Sequence, residues 1–63
     1  MDLTYDVFER RVGTLIWRCS VVGHEAALDK LKELAETSAN EFRVMYLPDM
    51  ELIALANVRK TAA

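Results

Sequence analysis

Cys19 and His24 are the only cysteine and the only histidine in the chain, and they stand five positions apart in the stretch CSVVGHEAAL. A thiolate beside an imidazole is a nucleophile with its base, and the same two side chains can bind a metal. A cysteine can equally be a small apolar residue buried near a helix start. Nucleophilic catalysis requires hydrogen-bond contact, a third group to orient the ring, and a cleft. One cysteine and one histidine fall short of the four ligands of a structural zinc, so a metal shell would need a second chain to complete it. A single cysteine also excludes an internal disulfide. Which reading holds depends on the elements that carry the two residues.

Leu3, Tyr5 and Val7 alternate with polar neighbours, the period of a half-buried strand. Gly13 can adopt the positive φ of a hairpin turn, and Thr14 to Val22 resumes strand chemistry. Strict alternation there puts Leu15, Trp17, Cys19 and Val21 on one face and Ile16, Arg18, Ser20 and Val22 on the other. Gly23 ends the strand. From His24 to Ala39 the period becomes helical, with Ala27, Leu28, Leu31, Leu34, Ala35 and Ser38 on one stripe. Asn40 is placed to stop the helix in a left-handed conformation. Phe42 to Leu47 returns to strand chemistry, and Pro48-Asp49 signals a turn. Met50 to Val58 tolerates helix, but the short turn before it favours a second hairpin. The expected fold class is therefore α+β, a four-stranded, mainly antiparallel sheet in ββαββ order with one helix on one face. Residues 1–58 form the single domain in this reading, and 59–63 a flexible tail. Strand order cannot be read.

On these elements Cys19 points with Trp17 into the apolar layer, where burial disfavours a thiolate, and His24 sits at the strand-to-helix junction. The buried structural cysteine is the favoured reading. Trp17 is read as the centre of the core. Glu25, Asp29, Glu33 and Glu36 form a solvated helix face, and no spacing among them selects a pair for acid–base work. The chain has only two glycines and shows no phosphate-binding loop or catalytic triad signature. The sequence thus predicts no enzyme, no cofactor and no metal.

A chain of 63 residues buries only about 60% of its unfolded surface and is marginally stable alone. With neither disulfide nor metal available, self-association is the simplest reinforcement, and a 52% apolar composition supports it. If Leu3, Tyr5, Val7, Leu15, Trp17, Phe42, Val44 and Tyr46 face the helix, the other face carries Phe8, Ile16, Met45 and Leu47. Ile53 and Leu55 join them if the parity of the last strand permits, and Arg10, Arg18 and Arg43 fall on that side too. A contiguous apolar patch in water normally marks an interface. The predicted interface residues are Phe8, Ile16, Arg18, Arg43, Met45, Leu47, Ile53 and Leu55, and the predicted partner is a second copy in a two-fold dimer, with another protein as a further possibility. Arginines beside an aromatic on an open sheet can also bind single-stranded RNA, yet a formal charge of −2 weighs against nucleic acid. Nothing at the start reads as a secretion signal, no apolar run approaches a membrane span, and a lone thiol suits the cytoplasm.

The motifs Y-x-V-F-x-R (Tyr5, Val7, Phe8, Arg10) and L-x-W-x-x-S (Leu15, Trp17, Ser20), with the E-A pair Glu25-Ala26 opening the helix and Asn40 after it, resemble a set of very short bacterial proteins. That resemblance implies the ββαββ layout and no activity. More loosely, the layout is similar to HicB-type antitoxins. Regulatory binding of nucleic acid or of a toxin-like partner through the open sheet face is the alternative function.

Overall fold

In the computed structural model, which describes residues 3–57, the chain runs β1 (Thr4–Arg11), β2 (Thr14–Val22), α1 (His24–Thr37), β3 (Phe42–Tyr46), a short 3-10 turn (Leu47–Asp49) and β4 (Glu51–Ala56). The α+β expectation is the architecture found: one helix on a four-stranded sheet ordered β2-β1-β3-β4, every neighbouring pair antiparallel. The segment Glu51–Ala56 is strand, as the short turn before it favoured. The predicted tail at 59–63 lies outside the described residues. Because β2 and β3 are each antiparallel to β1, they run parallel to one another, and α1 links them by crossing over β1.

The first hairpin closes in two residues. Val12 and Gly13 have φ of 40° and 78°, the pair of positive values that a tight hairpin turn of this twist demands. Gly13 adopts its value without steric cost, whereas Val12 is a β-branched residue held in the left-handed region. At the other end of β2, Gly23 takes φ 96° and ψ 137°, a combination open to glycine alone. Its N–H donates to the Leu3 carbonyl at 2.8 Å, and its carbonyl accepts from Ala27 N–H at 3.0 Å, so one residue ends the strand and begins the helix.

The core lies between α1 and the two central strands. Ala27 and Leu31 of the helix meet Tyr5 and Val7 of β1 and Phe42 and Val44 of β3. Val7, Phe42 and Val44 are fully buried, each contributing about 1.5–3 kcal/mol. Leu34, Cys19, Val21 and Ile53 pack partly buried around them.

Asn40 does not stop the helix in a left-handed conformation. The helix gives way at Ser38, which is extended at φ −148°, with its N–H on the Leu34 carbonyl at 3.1 Å. The orphan carbonyls are gathered from the far end of the sheet. Asn57 Nδ2 donates to the carbonyls of Ala35 at 3.1 Å, Ser38 at 2.8 Å and Asn40 at 3.2 Å. Its own left-handed φ of 55° aims the amide there.

Candidate functional site

Counting from the tight turn, Arg11 pairs with Thr14, Arg10 with Leu15, Glu9 with Ile16 and Phe8 with Trp17. Counting from Gly23, Thr4 pairs with Val22 and Val7 with Cys19. The two counts differ by one residue, and Arg18 is the one left over, a β-bulge in β2. Ladder partners share a face. Cys19 and Val21 therefore lie on the helix side as predicted, while Leu15 and Trp17 lie on the uncovered side with Arg10 and Phe8. The expectation that Trp17 centres the core is corrected: it is 55% exposed, and its indole Nε1 donates to Asp6 Oδ1 at 2.9 Å.

The same bulge moves two predicted interface residues. Ile16 shares the helix-side face with its partner Glu9, and Arg18 reaches Glu9 Oε1 at 3.4 Å. Glu9 is only 5% exposed and also accepts from Asn40 Nδ2, with Arg11 Nε at 3.9 Å. Burying a carboxylate is costly unless it is paired and hydrogen-bonded, as it is here. A second bulge does the same in β4: Val44 pairs with Ala54 but Met45 with Leu52, leaving Ile53 as the extra residue. Ile53 packs on the core and not on the open face, and Leu52 takes its place there. Leu47 lies outside the strands, exposed at the start of the 3-10 turn.

Of the predicted interface residues, Phe8, Arg43, Met45 and Leu55 are brought together on the uncovered face; Leu15, Trp17 and Leu52 belong with them and were missed. One row runs straight across the sheet as Trp17, Phe8, Arg43 and Leu55, and the next as Ser20, Asp6, Met45 and Leu52. Trp17, Leu15, Leu52 and Leu55 are each more than two-fifths exposed, and among the described residues no element packs over them.

The charges on this face are already matched within the chain. Glu41 Oε2 accepts from Arg43 Nη2 at 2.8 Å and lies 3.6 Å from Arg10 Nε. The Arg43 hydrogen bond, with the nearby charges of Arg43 and Arg10, holds the Glu41 carboxyl below its ordinary 4.5 despite the opposing effect of desolvation. Asp6 Oδ1 accepts from both Trp17 Nε1 and Ser20 Oγ, the latter at 2.8 Å. Two acids and two arginines thus cancel: Asp6 and Glu41 against Arg10 and Arg43.

The opening pair is not brought into hydrogen-bond contact among the described residues. Cys19 is half-buried against the core, on the side predicted. His24 is the first helical residue, with its ring edge-on to Tyr5 at a centroid distance of 5.9 Å. Among the described residues no group of three or more His, Cys, Asp or Glu side chains could hold a metal, and no helix is long and apolar enough to cross a membrane. No protein-family model, no curated protein and no solved structure matches the chain.

Proposed function

We propose that this chain is a small non-catalytic, cytoplasmic interaction module that forms a homodimer through the uncovered face of its sheet. The supporting observation is the pair of rows from Trp17 to Leu55 and from Ser20 to Leu52, in which Trp17, Phe8, Leu55, Met45 and Leu52 form a mainly apolar surface laid across all four strands and left uncovered by the single helix. Covering this face would give the sheet a second layer of core.

The arginines favour this reading over nucleic-acid binding. Phosphate contact draws on free basic side chains, and the balance of the chain is acidic at −2. Arg10 and Arg43 are instead committed to Glu41. A face with matched charges and exposed aromatic and aliphatic groups suits a protein surface.

Sedimentation equilibrium over a range of concentrations tests the proposal. A dimer at micromolar concentration, weakened by Met45→Glu on the open face and unchanged by Asp29→Lys on the helix, is the expected result. A monomer at every concentration up to hundreds of micromolar would sink it.

A further inference from the structure

The proposed dimer leaves open which strands of one copy cover which strands of the other, and the charge pattern of the face restricts the answer. A two-fold axis in the plane of the interface can run along the strands or across them. Running along the strands and above β1, it stacks Asp6 on the partner's Asp6 and Arg10 on the partner's Arg10. Above β3, it stacks Arg43 on the partner's Arg43. Running across the strands through the Trp17 row, it again brings Arg43 onto the partner's Arg43; moved by half a row, it sets the Asp6 carboxylate over the negative π-face of the partner's Phe8, and moved by a full row it stacks Asp6 on the partner's Asp6. Each of these brings groups together that repel.

One placement avoids these clashes and also keeps all four strands of the face covered, which an axis displaced toward a sheet edge or toward the hairpin tip does not. With the axis along the strands and between β1 and β3, each row of the face folds onto itself end for end. Trp17 then meets the partner's Leu55, and Phe8 meets the partner's Arg43. Asp6 meets the partner's Met45, Ser20 the partner's Leu52, and Arg10 comes over the partner's Glu41. The arrangement is isologous, as a two-fold interface must be, and it keeps the strands of the two sheets nearly aligned, the usual packing of sheet on sheet. It also gives a cationic neighbour to Phe8 and a carboxylate to Arg10.

Resting on the homodimer reading above, we infer that the partner is a second copy docked about an axis between β1 and β3, so that β2 of each protomer is covered by β4 of the other. The indole of Trp17 is buried under Leu55 from the neighbouring chain, and Phe8 under its Arg43 guanidinium.

The chain contains one tryptophan, which makes the pairing directly readable. A Trp17→Phe, Cys19→Ser, Leu55→Cys chain carrying a nitroxide on the new thiol is mixed with an unlabelled Cys19→Ser chain. Any loss of tryptophan emission in the mixture comes from the partner. Sheets stack about 10 Å apart, and β2 and β4 lie about 14 Å apart within one sheet. A label on β4 should therefore quench Trp17 severalfold more than a label on β2 at Leu15→Cys, with sedimentation of each mixture showing that dimers formed. Leu52→Cys supplies the β4 label if the Leu55 site does not tolerate one. Stronger quenching from Leu15 than from either β4 site would overturn the axis while leaving a face-to-face dimer standing. Absence of association in the unlabelled chain would instead remove the dimer reading itself.

Discussion

Phe8 pairs with Trp17 across the first hairpin, and Arg18, the residue next to Trp17, has no partner on β1 at all. That single inserted residue turns the tryptophan out of the core and onto the open face, and lets Arg18 reach the buried carboxylate of Glu9 at 3.4 Å. The uncovered face of this small protein is shaped by bulges: the second, at Ile53, exchanges it for Leu52 on the same face. Which residues join the core and which lie on the uncovered face follows from those two insertions.

Trp17 and Phe42 should therefore respond oppositely to truncation. Phe42→Ala removes a fully buried ring and should cost about 3–5 kcal/mol in denaturant unfolding. Trp17→Ala should leave the circular dichroism of the folded chain intact while raising the dimer dissociation constant about thirtyfold, the effect of losing an aromatic anchor of about 2 kcal/mol. Denaturant titration and sedimentation measure the two separately.

The fold itself was largely legible in the sequence, because the change from a two-residue to a helical period between Val22 and Ala27 needs only local residues. The bulges were not legible to strict alternation, since one inserted residue leaves no trace in composition. One signal did exist. A two-residue turn at Val12-Gly13 forces Phe8 opposite Trp17, whereas placing Val7 and Cys19 together on the core side forces a pairing one residue different, and both hold only if a residue is left over. Strand order, and the reach of Asn57 back to the helix end, are long-range contacts that periodicity cannot register. Asn40 was a plausible helix stop by type, but its side chain was taken by Glu9.

Val12 stores backbone strain at the hairpin tip without making packing contacts, being fully exposed at φ 40°. Val12→Asn should stabilise the protein by about 1 kcal/mol, because asparagine tolerates the left-handed region that valine resists. Gly13→Ala should destabilise by about 1–2 kcal/mol on backbone grounds alone, since an added Cβ meets nothing within 4 Å. Thermal unfolding resolves both, at about 4–8 °C per kcal/mol for a chain of this size.

Asn57 fastens the end of β4 to the end of α1. Asn57→Ala should cost about 1 kcal/mol through the loss of its hydrogen bonds to the carbonyls of Ala35, Ser38 and Asn40. Asn57→Gly relieves the left-handed backbone but still lacks the amide, so it should fall between alanine and the native residue. Hydrogen exchange at the Ser38 amide, which bonds to Leu34, should quicken in both variants.

Acid should act on Glu41. Its carboxyl is held below 4.5 in the folded chain, chiefly by the Arg43 hydrogen bond, so it remains ionised to lower pH than in the unfolded chain. The resulting stabilisation is present above that unfolded value and is lost as pH falls through the lower folded one. Carboxyl NMR titration should give a midpoint below 4.5 for Glu41, and Glu41→Gln should flatten this part of the acid limb. A midpoint at or above the ordinary value would show that the arginine clamp does not hold in solution.

The central claim is that the uncovered face is where two copies meet, and Trp17 reports on it without any substitution. The emission maximum of this single tryptophan, followed from high to low protein concentration, is the most direct test. It should lie toward the blue at tens of micromolar, where the partner covers the indole, and move to the red on dilution with the same midpoint as dissociation. A maximum characteristic of exposed indole that stays constant across the whole range would contradict the account.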